Sequence, residues 1–226
     1  KIKEMKKNLE PGITTLELDE IGRKYLEFHG ARSAPILLYN FPGNTCISIN
    51  NEVAHGIPGA AVVKAGDMVN IDVSAELDSY FADSGATFIV PPFTKKKQNL
   101  CEVTQRTLSK AISNVKSGRY LNIIGKTIEE EAIANGYTTI RNLGSHGVGR
   151  SLHEEPRFIP NYYDSTDKRI LEEGMVITIE PFISTGAEMV KEAEDGWTLK
   201  TPKNYLTAQY EHTLVITKNL PIIITL

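Results

Sequence analysis

The chain has 226 residues, 41% apolar and 23% charged, long enough to bury a sizeable core as one large domain or two small ones. A net charge of −3 with no dominant basic patch excludes nucleic-acid binding as the main role. No apolar run approaches the roughly 18 residues of a membrane span, and no signal peptide is visible.

The chain opens at Lys1 inside a charged stretch, without a Met, and reads as the remainder of a truncated N-terminal segment. Pro11-Gly12 then breaks it. Thr14 and Glu17 have capping-box spacing, and Leu18, Ile21, Tyr25 and Phe28 follow at helical spacing up to His29-Gly30. Residues 68–75 alternate, with Val69, Ile71 and Val73 on one face and Asn70, Asp72 and Ser74 on the other. Glu76-Leu77-Asp78-Ser79 reads as a turn, and 80–90 resume a strand. A turn centred between Leu77 and Asp78 places Asp72 directly opposite Asp83. Like charges in that position repel unless a cation sits between them.

Lys95-Lys96-Lys97 reads as the solvated start of a second helix carrying Leu100, Val103, Leu108, Ala111, Ile112 and Val115. Leu121, Ile124, Ile128, Ala132 and Ile133 mark a third helix, closed by Asn135-Gly136. Strands follow at 175–183 and 208–217, with a last extended run at 221–225, and Glu180 and Glu211 fall within them. Each half therefore runs helix first, then strands bearing two carboxylates. No Pro/Gly/Ser-rich linker separates the halves, so residues 1–226 are expected to form one catalytic domain. Cys46 and Cys101 form no ligand-spaced pair and fit two free thiols in a reducing compartment.

Four carboxylates and a histidine have distinctive settings: Asp72, Asp83, His146, Glu180 and Glu211. An Asp on a turn-flanked strand is usually exposed. Yet apolar residues surround Asp72, and Glu180 lies between Ile179 and Pro181 in a strongly apolar strand. Buried together without a cation they would be very costly. Two divalent ions would balance the four charges, and oxygen donors with one imidazole suit Mn, Fe, Co or Zn. Such a pair of ions suits amide hydrolysis. His212 follows Glu211 and points to the other strand face, so it reads as a packed residue rather than a ligand. His153-Glu154-Glu155-Pro156 lacks the second His of a zinc helix, and Gly147-x-Gly149 lacks the third Gly of a dinucleotide site.

The chain resembles type I methionine aminopeptidases from Pro11 to Thr217. The likeness rests on Phe41-Pro42-Gly43, Cys46-Ile47-Ser48, Val53-Ala54-His55-Gly56-Ile57-Pro58 and Val69-Asn70-Ile71-Asp72. It continues through His146-Gly147-Val148-Gly149, Leu152-His153-Glu154, Ile179-Glu180-Pro181-Phe182 and Glu211-His212-Thr213. The resemblance implies the pita-bread α/β (α+β) fold: an antiparallel sheet in pseudo-twofold halves, with helices packed outside. It implies two divalent ions on Asp72, Asp83, His146, Glu180 and Glu211, activating a hydroxide that attacks the methionyl carbonyl. His55 and His153 would contact the scissile group, and Glu180 would shuttle the proton. Phe41, Cys46, His55, Leu38, Leu152 and Trp197 would form the substrate pocket, with Pro35 nearby. The substrates implied are N-terminal Met peptides of nascent chains with small second residues. The same reading expects a cytoplasmic monomer that works at the ribosome and does not enter membranes. An Xaa-Pro peptidase or an inactive peptide-binding module on the same fold are the alternatives.

Four departures from the family pattern stand out. Leu38 and Leu152 replace aromatics, Pro35 replaces a Cys, and Ser145 replaces a Gly. They predict a wider, less aromatic pocket. The N-terminal helix usual in the family is expected to be largely absent.

Overall fold

The computed structural model of the protein describes residues 2–202 and 205–225. A short helix, Ile2–Lys7 (α1), forms at the start and buries Met5 completely. Thr14 starts the next helix, Thr15–Phe28 (α2), as a capping box. Its hydroxyl accepts the Glu17 N–H at 3.1 Å, and the Glu17 carboxylate accepts the Thr14 N–H at 2.8 Å. The inward face is Leu18, Gly22 and Leu26, not the row ending in Tyr25 and Phe28; Phe28 is 84% exposed. Gly22 makes room for α1, because a Cβ there would lie 3.1 Å from the Met5 sulfur.

Three further helices follow: Ala34–Tyr39 (α3), Lys95–Asn114 (α4) and Ile123–Ala134 (α5). Ser33 caps α3, with Pro35 in its first turn and Asn40 closing it in the left-handed region at φ 53°. In α5, Ile124, Ile128 and Ala132 face the core, whereas Ile133 faces solvent.

Every strand pairing among the described residues is antiparallel. In the first half, Met68–Asp72 lies between Cys46–Ile49 and Gly85–Ile89. Its buried side chains Val69 and Ile71 pack with Ile47 of the neighbouring strand and with Met5 of α1 and Leu18 of α2. In the second half, Val176–Ile179 lies between Gly144–Gly147 and His212–Val215. Ile177, Ile179 and Leu214 there pack with Leu108 and Ile112 of α4 and Ile124 and Ile128 of α5. Each fully buried aliphatic side chain of this kind contributes about 1.5–3 kcal/mol. The halves meet where Ala86 bridges Tyr210 and the Glu211 N–H donates to the Gly85 carbonyl at 2.8 Å.

The hairpin register differs from the one expected. Asp78 and Ser79 both have left-handed φ, 53° and 68°, so the two-residue turn centres between them. Leu77 then pairs with Tyr80, and Asp72 pairs with Gly85 rather than Asp83. The slip of two residues keeps side chains on their faces, so Asp72 and Asp83 remain diagonal neighbours on one face. Glu180 and Glu211 also stand outside regular strands. Glu180 follows Val176–Ile179 at the break made by Pro181, and Glu211 sits between Thr207–Gln209 and His212–Val215.

Candidate metal centre

The carboxylates occur where the ladders stop, and that is what frees their oxygens to converge. Asp83 fills the gap between Tyr80–Ala82 and Gly85–Ile89. Its Oδ1 accepts from the Ser74 hydroxyl and the Ser84 N–H, both at 2.9 Å. Its Oδ2 lies 3.9 Å from His146 Nε2. His146 sits on Gly144–Gly147 with Nδ1 3.0 Å from the Gly147 carbonyl oxygen. A carbonyl can only accept, so Nδ1 carries the proton and Nε2 turns its lone pair to the carboxylates. Glu180 Oε1 lies 3.5 Å from the same nitrogen and accepts from Thr178 Oγ1 at 3.3 Å. The Ser145 hydroxyl accepts the Glu180 N–H at 3.0 Å and so ties down the backbone at that break.

Glu211 is held by an amide chain from the first half. Asn70 Nδ2 donates to Gln209 Oε1 at 2.8 Å, and Gln209 Nε2 donates to Glu211 Oε2 at 3.2 Å. Gly85 permits this, since a Cβ there would meet Gln209 Oε1 at 2.3 Å. The ligand atoms of Asp83, His146 and Glu211 lie within 4.8 Å of one another. Asp72, at the end of its strand and half-buried, lines the same cavity.

Burial and the nearby Asp83 charge push the Glu180 carboxyl well above the usual range. Burial, and then the charges of Asp83, Glu180 and Asp72, do the same to Glu211. Glu211 Oε1 is buried with no hydrogen-bond partner among the described residues. A cation fits this group, because it would satisfy the orphaned oxygen and relieve the repulsion.

The cavity above has a volume of about 470 Å³. Phe41, Cys46, Leu152 and Trp197 line it, together with His55 and His153. The Trp197 ring meets Phe41 edge-on with centroids 5.1 Å apart. Its loop is set by Asp195, which accepts the Trp197 N–H at 2.9 Å and the Thr198 N–H at 2.8 Å. His55 holds a left-handed φ of 55°, a costly conformation for a non-glycine residue. It is reachable through the cavity mouth, yet surrounding protein lowers its pKa. Burial first, and then the neighbouring His146, bring His153 down to about 4. Burial raises the Cys46 thiol and keeps it neutral.

Leu38 does not reach the cavity. Pro35 and Tyr39, one turn apart on α3, line the cavity, Tyr39 while still 41% exposed, whereas Leu38 between them does not. Tyr39 thus supplies an aromatic ring to the cavity from the position next to Leu38. Sequence reasoning missed Tyr39, Phe182, Arg157 and Phe158 among the lining residues, and Gln209 behind Glu211. A helical reading of residues 34–39 would have found Tyr39. No local signal marks Gln209, whose place depends on the meeting of the two halves. His212 lies away from the cavity, with Nδ1 3.0 Å from Thr225 Oγ1.

A buried acid–imidazole cluster under an apolar cavity defines a metal-dependent hydrolase. The chain belongs to metallopeptidase family M24, whose sequence profile matches residues 2–218. It is 49% identical over 223 residues to methionine aminopeptidase 2 of Bacillus subtilis, covering 98% of this chain and 90% of the relative. The crystal structure of methionine aminopeptidase from Rickettsia prowazekii superposes with a TM-score of 0.95 at 36% identity, covering 100% of this chain and 91% of that one. A prolidase from Pyrococcus furiosus shares the fold at a TM-score of 0.79 and 24% identity, and this chain covers 59% of it. The family and the buried group together make this a metal-binding centre with the pita-bread fold.

Proposed function

We propose that this chain is an aminopeptidase that removes the initiator methionine from nascent proteins, preferring a small second residue. The observation that carries the reading is the apolar wall of Phe41, Cys46, Leu152 and Trp197 directly beside the buried acid–imidazole group. An unbranched thioether suits that wall, since its sulfur gains from the Phe41 and Trp197 rings. The likeness to named methionine aminopeptidases over nearly the whole chain supports the same substrate.

Asp72, Asp83, His146, Glu180 and Glu211 would hold two divalent ions drawn from Co, Mn, Fe and Zn. Bound there, such ions make a nucleophile from water at neutral pH and polarise the scissile carbonyl. His55 and His153 donate hydrogen bonds to the scissile peptide group as charge develops on it. Glu180 accepts a proton at a carboxylate oxygen and returns it to the leaving amine. The ligands come from both halves, which supports one catalytic domain. The two free, buried thiols support a reducing compartment, the cytoplasm. No helix among the described residues is long and apolar enough to cross a membrane. A monomer working where nascent chains emerge from the ribosome completes the reading.

The Xaa-Pro alternative rests on a likeness that shows the fold alone. The test is release of methionine from Met-Ala-Ser and failure to cleave Ala-Pro-Ser, with Mn or Co present and again after chelation. Cleavage of Ala-Pro-Ser alone would overturn the substrate. Activity that survives chelation would overturn the metal assignment.

A further inference from the structure

We propose that Tyr39 is a positioning residue that fixes the tautomer of His153, so that His153 presents an Nε2–H to the scissile peptide group. The inference rests on the aminopeptidase reading above and deepens it. Tyr39 Oη lies 2.6 Å from His153 Nδ1, and the two rings are 5.7 Å apart. The partners come from distant parts of the chain, α3 and the loop before Glu154–Pro160. Tyr39 is itself placed firmly. The Asn40 N–H donates to the Ile36 carbonyl at 3.1 Å, and the Phe41 N–H to the Pro35 carbonyl at 3.3 Å, closing α3 directly behind it.

A neutral imidazole has one donor and one acceptor nitrogen, and its partners decide which is which. A phenol is a stronger acid than an imidazole N–H, and an imidazole nitrogen is a better acceptor than a phenol oxygen. The favoured arrangement is therefore O–H···Nδ1. Nδ1 is then occupied, and Nε2 carries the ring's only proton. His153 lines the cavity with its ring centroid 4.2 Å from that of His146. The donor is thus supplied next to the metal centre, where the peptide carbonyl must lie. Tyr39 touches no reacting atom in this scheme and acts through the imidazole.

The test compares wild type, Tyr39→Phe, His153→Ala and the double variant. Tyr39→Phe keeps the ring packing and removes only the hydroxyl. The expected result is a kcat about tenfold lower on Met-Ala-Ser, the effect of one lost hydrogen bond, with KM within about twofold. In the His153→Ala background the same change should have no further effect. Nitrogen-15 spectra of the zinc-loaded protein, with His153 assigned by its loss in His153→Ala, should show the Nε2–H tautomer in wild type and a mixture in Tyr39→Phe. An unchanged tautomer, or an equal loss of activity in both backgrounds, would overturn the proposal. If the wild-type protein released no methionine, the functional reading would fall, while the spectra would still decide the tautomer.

Discussion

Thr213 holds the peptide of Asp83 from both ends: the Asp83 N–H donates to Thr213 Oγ1 at 2.9 Å, and the Thr213 hydroxyl donates to the Asp83 carbonyl at 2.7 Å. Thr213 is fully buried and belongs to the second half, whereas Asp83 belongs to the first. One hydroxyl thus replaces the ladder bonds that Asp83 forgoes by leaving its strand. Thr213→Val keeps the shape and leaves two buried backbone groups unpaired. A loss of about 2–6 kcal/mol in urea unfolding is expected, since each such group costs about 1–3 kcal/mol. Manganese affinity should fall with it, because Asp83 is no longer held toward His146. Thr213→Ser should retain most of both. A Thr213→Val protein of wild-type stability would show that the paired bonds contribute little.

Metal binding should stabilise the fold measurably. Glu211 Oε1 has no protein partner among the described residues, and Glu180 and Glu211 are buried within reach of the Asp83 charge. An ion at a free concentration 100-fold above its Kd adds about 2.7 kcal/mol. For a chain of this size that raises Tm by roughly 5–10 °C. Calorimetry with added Mn and then with excess chelator checks both directions. Glu211→Gln should lose most of the rise, because it removes one charge and offers a poorer ligand.

Two of the candidate ligands stand out in the sequence because each breaks a local rule: Glu180 inside an apolar strand and Asp72 ringed by aliphatics. Their convergence was not legible in detail. The register was misjudged because the left-handed pair Asp78 and Ser79 moves the turn centre by one residue. The common face survived because the resulting slip is even. Leu38 was misplaced for a different reason. Over six residues with a Pro near the start, a helical period competes with a plain apolar run, and only the Ser33 cap and Asn40 stop settle which residues face inward. The link from Asn70 through Gln209 to Glu211 spans both halves, so no local pattern encodes it.

The substrate wall gives a prediction that separates binding from chemistry. Trp197 closes the cavity against Phe41 and touches none of the acidic cluster in any ion pair or hydrogen bond described. Trp197→Ala removes an aromatic that contributes about 0.5–1.5 kcal/mol through its edge contact alone, beyond the area it covers. KM for Met-Ala-Ser should rise about tenfold or more while kcat stays within about threefold, as loss of uniform binding requires. Steady-state kinetics over a range of peptide concentrations reads the two separately. A fall confined to kcat would place Trp197 in the chemistry instead of the pocket.

Glu76 supplies a pH-dependent contribution to stability that is independent of the metal. Its side chain is buried, Arg32 Nε donates to it at 2.6 Å, and the Ser79 N–H donates at 2.7 Å. Arg32 first, then that N–H, hold its carboxyl below the usual carboxylate value of 4.5. A carboxyl lowered in the folded state binds its proton more readily when unfolded. The stabilisation is therefore fully present above the unfolded value and is lost as pH falls through the folded one. Glu76→Gln should destabilise the protein at pH 7, and the gap from wild type should close as pH drops below about 4.5 and through the lowered folded value. Urea midpoints measured across that range decide the matter. The Arg32 side chain is largely solvent-exposed, so about 0.5 M salt should shrink the gap at pH 7 by screening. A gap that is constant with pH would mean that Glu76 acts through packing and neutral hydrogen bonds, with its charge contributing nothing.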